Sequence, residues 1–172
     1  MTMSFSTFLR RAARRTPAVV LQASWCNGLD LIRDLAADGV PVLALDANPR
    51  ALGLRSRLAA GMVCPDPRAD EEAFVTFLER LGTRLPQRAV VFPTHDQYIW
   101  PVSRHADRLG RWYLIPFSRW ETMQRLYDKR EQIETAWRVG VATPKTVFID
   151  SEADLARAAE VGFPAIFKPV ES

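Results

Sequence analysis

The chain has 172 residues, 48% hydrophobic and 25% charged, with a formal net charge of +3. Such a composition excludes a disordered chain and suits one packed domain plus part of a second. The small net charge does not call for a nucleic acid or a membrane surface, and no apolar run approaches the roughly 20 residues that span a bilayer.

The first expected element is a helix over 5–15, where Phe5, Phe8, Leu9, Ala12 and Ala13 alternate with Arg10, Arg11, Arg14 and Arg15. It reads as a leading helix with a solvated basic face; the other reading is a membrane-surface or targeting helix. From Ala18 onward, short apolar runs alternate with helical patterns, as in βαβ units feeding a parallel sheet. Strands are expected over 18–21, 41–45, 89–92 and 112–115, apolar throughout as doubly covered strands are, with a weaker one over 62–64. Helices are expected over 28–38 and about 70–81, closed by Gly39 and Gly82, and again after Asp96. Right-handed crossovers then give a doubly wound α/β sheet. Ligands of such sheets bind beyond the carboxyl ends of the strands, here Ser24–Asn27, Asp46–Asn48 and Thr94–Asp96.

The pattern changes after Pro116. Ser118 with Glu121 forms a capping box, Asp128 starts a helix running to Val139, and Gly140 stops it. A strand is expected over 146–149, a helix opened by Ser151 and Asp154 runs to about Val161, and 165–168 reads as a strand. The division is thus an N-terminal helix or arm over 1–17, a Rossmann-like domain over 18–117, and the opening of an α+β module over 118–172.

Several chemistries lack their residues. The first turn, Gln22-Ala23-Ser24-Trp25-Cys26-Asn27-Gly28, lacks G-x-G-x-x-G. Asp46 stands where a nicotinamide enzyme keeps its ribose acid, yet without the glycines it reads as a polar strand end. There is no Walker A motif, His/Cys metal cluster or nucleophile elbow, and two histidines, His95 and His105, make a His-based triad improbable. Cys26 and Cys64 have no metal or redox spacing; with no signal peptide, free thiols in a reducing cytoplasm are expected.

Of 23 basic residues, three are lysine: Lys129, Lys145 and Lys168. Lys168 ends an apolar run, so it either meets solvent at an edge or is aimed into a cleft at an anion. Lys129 sits in the first turn of a helix, where a cation opposes the helix dipole by up to about 1 kcal/mol. Either it pairs locally with Asp128 or Glu131, or a phosphate occupies the space beside it.

Asp128-Lys129-Arg130, the helix ending in Val139-Gly140-Val141, Thr143-Pro144-Lys145-Thr146, and Gly162-Phe163-Pro164-Ala165-Ile166-Phe167-Lys168-Pro169 together resemble the start of an ATP-grasp module. The upstream half resembles a pre-ATP-grasp domain of the D-aspartate ligase-like, carboxylate–amine branch, through Asp46-Ala47-Asn48-Pro49, Leu54-Arg55-Ser56-Arg57, Phe92-Pro93-Thr94-His95-Asp96 and Leu114-Ile115-Pro116. The resemblance implies ATP and Mg2+ as cofactors, an acyl-phosphate intermediate, and a small carboxylate joined to an amine or thiol. It implies nucleotide contacts from Lys129 and Lys168, and it allows a homodimer in the cytoplasm, with no nucleic acid or membrane partner. Thr94, His95 and Asp96 are pocket candidates; alternatively Thr94 or Asp96 caps the next helix. The family's glycine-rich phosphate loop and magnesium ligands would follow Ser172, so the chain alone is expected to be catalytically silent while the longer protein is a ligase. A non-enzymatic small-molecule or nucleotide binding module is the alternative.

Overall fold

The computed structural model describes residues 3–169. It divides into two units, one ending at Arg119 and one beginning at Trp120.

In the first unit, helix α1 (Phe5–Ala12) is opened by Ser4, whose Oγ accepts the Thr7 N–H at 3.2 Å. Phe8 and Ala12 are fully buried, and Met3 bridges to Ala60 in the sheet. The helix therefore belongs to the domain core, and its arginines take the outer face.

Strands β1 (Ala18–Leu21), β2 (Val42–Asp46), β3 (Ala59–Val63), β4 (Ala89–Pro93) and β5 (Tyr113–Leu114) form one parallel sheet in the order β3-β2-β1-β4-β5. The expected α/β doubly wound sheet is the one observed. The weak strand at 62–64 belongs to β3, three residues longer on its N-terminal side. Helices α2 (Cys26–Ala37), α3 (Glu71–Gly82), α4 (Asp96–Arg104) and α5 (Ala106–Leu109) supply the connections.

Alternation along the central strands divides the core between two faces. Val19, Leu21, Leu43 and Leu45 pack with Phe8, Phe74, Leu78, Tyr98 and Tyr113. Val20, Val42 and Ala44 pack with Ile32 of α2. α1, α3 and α4 thus cover one face and α2 the other, which explains why β1 and β2 are buried at every position. Tyr113 reaches across the first face to donate its hydroxyl to the Leu78 carbonyl at 2.8 Å.

The second unit contains α6 (Trp120–Tyr127), α7 (Lys129–Arg138) and a 3-10 helix (Glu152–Glu160). α6 starts at Trp120, one residue later than a Ser118 cap would place it, and the Ser118 carbonyl instead accepts the Ser103 hydroxyl. α7 follows expectation: Asp128 Oδ1 accepts the Arg130 and Glu131 amides at 2.8 and 3.0 Å, and Val139 is the C-cap. The expected strands over 146–149 and 165–168 are not formed. A strand requires a ladder partner, and among the described residues neither segment has one. Side chains hold the first segment instead: the Arg130 guanidinium lies 4.3 Å over the Phe148 ring and pairs with Asp150, while Trp137 packs on Phe148. The helix expected after Ser151 is a 3-10 helix with none of its residues buried. With no packed face to favour the α form, local hydrogen bonding decides. Among the described residues no helix is long and apolar enough to cross a membrane.

Candidate functional site

The sheet winds outward from β1 through β2 to β3, then returns to β4 on the other side of β1. Such a reversal opens a crevice at the carboxyl ends of β1 and β4, where ligands of doubly wound sheets bind. Four strand ends meet there, carrying Gln22, Asp46, Cys64 and Thr94.

Thr94 bridges the β1–β4 junction. Its hydroxyl lies 3.0 and 2.8 Å from the carbonyls of Leu21 and Gln22, and its amide donates to Leu21 at 3.1 Å. The cap of α4 comes from neither Thr94 nor Asp96: His95 is the N-cap residue, and its Nδ1 accepts the Gln97 amide at 3.4 Å. Thr94 is committed to the strand junction because its hydroxyl faces β1, leaving the adjacent imidazole to cap. His95 and Asp96 are both exposed at this edge.

Asp46 is almost fully buried and its carboxylate is satisfied locally. Ser24 donates to Oδ2 at 2.5 Å and the Asn48 amide to Oδ1 at 2.8 Å. Those bonds fasten the turn after β1 to the turn after β2. The Tyr98 hydroxyl accepts the Ala47 amide at 3.1 Å, and its ring meets Phe74 edge-on at 5.5 Å. The Asp46 carboxylate is therefore a structural clasp between the two turns.

Burial pushes the Cys64 thiol up from an ordinary value near 9 to about 12, with the Asp46 carboxylate adding to the rise and a Tyr98 hydrogen bond opposing it. Burial likewise raises the Tyr98 phenol. Cys64 is consequently a neutral packing thiol, whereas Cys26 is exposed. Iodoacetamide at mildly alkaline pH is expected to label Cys26 rapidly and Cys64 only after denaturation. Mass spectrometry of the two peptides checks this; equal labelling in the native state would contradict the burial.

Gln22 was given no role by the sequence. It holds φ at 63°, the left-handed region that non-glycine residues rarely enter. It is 8% exposed, and its Oε1 is buried without a hydrogen-bond partner. Its carbonyl lies 2.4 Å from where a Cβ on Gly28 would stand. Gly28 thus lets the first turn of α2 sit directly on the end of β1, the helix-to-strand closeness that one glycine of a dinucleotide fingerprint provides. Trp25 precedes that turn and gives no side-chain cap, so the first amides of α2 retain their donors for solvent or a ligand. Neither the strained dihedral nor the uncapped helix leaves a residue-type signature; only the position of the turn after β1 pointed here.

In the second unit, Lys129 occupies the first position of α7. Its ammonium lies 5.9 Å from the centre of the Tyr127 ring, and its Nζ is buried with no hydrogen-bond partner among the described residues. Of the two readings of Lys129, the local pairing with Asp128 or Glu131 is absent: Asp128 caps α7, and Glu131 binds Arg125 at 2.5 Å. Lys168 is exposed on the extended segment after Pro164, and Lys145 is exposed as well. Among the described residues no group of three or more His, Cys, Asp or Glu residues could hold a metal ion.

No protein-family model matches this chain, and neither does any curated protein sequence. Among solved structures, an L-amino acid ligase from Bacillus licheniformis matches with a TM-score of 0.65 at 15% identity, over 92% of this chain and 38% of that one. At such identity the likeness is one of fold. It supports an ATP-grasp-like fold without favouring the D-aspartate ligase-like branch, and the chain spans little more than a third of the ligase it resembles.

Proposed function

We propose, proceeding from that ligase fold, that this chain is the leading part of an ATP-dependent ligase of the ATP-grasp type that joins a small carboxylate to an amine. The D-aspartate ligase-like branch is the finer form of this proposal. The observation that carries it is the ammonium of Lys129. A buried cation without an acceptor costs several kcal/mol in desolvation, and at the first turn of a helix it also opposes the helix dipole. A nucleotide phosphate beside it would offset both costs.

ATP would supply the activating phosphoryl group, which makes an acyl phosphate of the carboxylate before the amine displaces it. The chain's own residues contribute positioning and charge, the main work in phosphoryl transfer. Lys129 would hold a phosphate oxygen through Nζ, held in place by the capped start of α7. Lys168, exposed on its extended segment, would give a second cation. The uncapped first turn of α2 beside Gln22 would receive a polar part of the carboxylate substrate. The described residues do not suit magnesium, so no step is assigned to it; its ligands would lie elsewhere in the protein.

Calorimetric titration of the full-length protein with MgATP, wild type against Lys129→Ala, tests the reading. Loss of a charge-assisted hydrogen bond is expected to weaken ATP binding by about 10- to 100-fold. The unliganded variant should melt no earlier than wild type, because an unsatisfied cation has been removed. Unchanged ATP affinity with a lowered Tm would make Lys129 structural. Absence of ATP binding by the wild type would leave a small-molecule binding module as the function.

A further inference from the structure

The edge of the sheet opposite the candidate site carries a charge pattern that ligase chemistry does not use. The turns entering β1, β2, β4 and β5 (13–17, 38–41, 83–88 and 110–112) contain five arginines and one carboxylate, that of Asp38. Arg11, in the last turn of α1, makes a sixth.

Side-chain contacts tie these turns into one surface. Arg15 donates to the Asp38 carbonyl at 2.5 Å and Arg11 to that of Gly39 at 3.5 Å, joining the end of α1 to the α2–β2 turn. Gln87 donates to the Ala12 carbonyl at 2.6 Å, and the Arg84 guanidinium lies 4.6 Å over the Phe5 ring, which brings in the α3–β4 turn. Arg88 donates to the Tyr113 carbonyl at 2.7 Å, and Arg111 lies 5.5 Å from the Trp112 ring, which adds the turn before β5. Among the described residues none of the six arginines forms an ion pair.

Part of this charge has a structural use. α1, α2, α3 and α5 all end at this edge, each adding at most a partial negative charge of about −0.5. Six full positive charges exceed four such ends and one aspartate. The surplus faces outward: Arg14, Arg84 and Arg111 are exposed.

We propose that this edge is a docking surface for an acidic peptide segment of a partner protein. Guanidinium forks match carboxylates bidentately, and those laid on aromatic rings are already oriented. The rings of Phe5 and Trp112 already lie beneath arginines, so no free aromatic platform awaits a base. A membrane finds nothing to bury, since Phe8 and Ala12 of α1 are fully enclosed.

The experiment is fluorescence anisotropy of the full chain with a fluorescein-labelled oligoglutamate. Single-stranded oligodeoxynucleotide and phosphatidylserine vesicles serve as alternative ligands. Binding of oligoglutamate is expected to weaken at about 0.5 M salt, where the Debye length falls below about 5 Å. The Arg14→Glu/Arg84→Glu/Arg111→Glu variant should lose at least about tenfold in affinity. A charge-matched Arg33→Glu/Arg50→Glu/Arg68→Glu control should change by less than about twofold. If the triple variant fails to fold, as its melt would report, Arg14→Glu alone carries the test, with a loss of about threefold expected. Unaltered binding in the folded variant, or an equal loss in the control, overturns the proposal. So does tighter binding to oligodeoxynucleotide or vesicles than to oligoglutamate.

Discussion

A Gly61→Ala protein is expected to be about 3 kcal/mol less stable than wild type, lowering Tm by roughly 10 °C. Gly61 lies on β3, in register with Ala44 of β2. A Cβ at this position would stand 2.1 Å from the Leu54 carbonyl oxygen and 2.7 Å from Leu54 Cα. These are backbone atoms of the 3-10 turn Leu52–Arg55, which packs over β2 and β3. No side chain can rotate away to make room, so the turn must lift or the strand must shift. Thermal melts followed by circular dichroism measure the loss. A Tm within a degree of wild type would mean that the turn is not seated on the strand.

The second large effect is expected at alkaline pH. Cys64, Tyr98 and Tyr113 are buried, and burial raises the pKa of each. Below about pH 9 these groups are protonated whether the chain is folded or not, and they make stability independent of pH. Above it the unfolded chain loses its thiol proton, and from about pH 10 its phenol protons, while the native state keeps all three. The native state then binds more protons, so unfolding becomes easier as pH rises, by about 1.4 kcal/mol per pH unit for each group. For Cys64 the loss continues until its native thiol titrates at about 12. Urea unfolding should show a fall of about 3–5 kcal/mol between about pH 9 and pH 11. Cys64→Ala should remove the part that begins near pH 9 and leave the part that begins near pH 10. A flat profile across this range would mean that the three groups are reached by water in the native state.

The first unit was read almost entirely from its residues because its central strands are nearly all apolar and α2 and α3 are marked by Gly39, Asp70 and Gly82. The run 18–21 is β1 itself, and Asp70 caps α3 where the pattern places it, accepting the Ala73 amide at 2.8 Å. The second unit was read less well, and the reason is physical. Segments 146–149 and 165–168 have strand composition, but composition cannot supply the neighbouring backbone that turns an extended segment into a sheet. Phe163, Ile166 and Phe167 accordingly remain at least 80% exposed. At the crevice, sequence position located Thr94 and Asp46 at strand ends, but their hydrogen bonds depend on which strand lies beside them. The same holds for the basic edge: its arginines are scattered over a hundred residues, and only the winding of the sheet collects them. Lys129 was legible as a residue out of place in a helix start. Its lack of a hydrogen-bond partner among the described residues was not, because Asp128 and Glu131 are turned to other donors.

β1 is the first strand of the chain and the middle strand of the sheet, with Val19 opposite Leu43 on one side and Val91 on the other. During synthesis its two edges are therefore satisfied at different times. The side facing β2 can close soon after the chain emerges. The side facing β4 must wait for about 48 further residues, roughly 2–10 s at ordinary ribosome speeds. For that interval a fully apolar strand has an open edge inside the cell, which makes this domain dependent on chaperone cover, or on a slow patch of codons placed after β4 rather than before it.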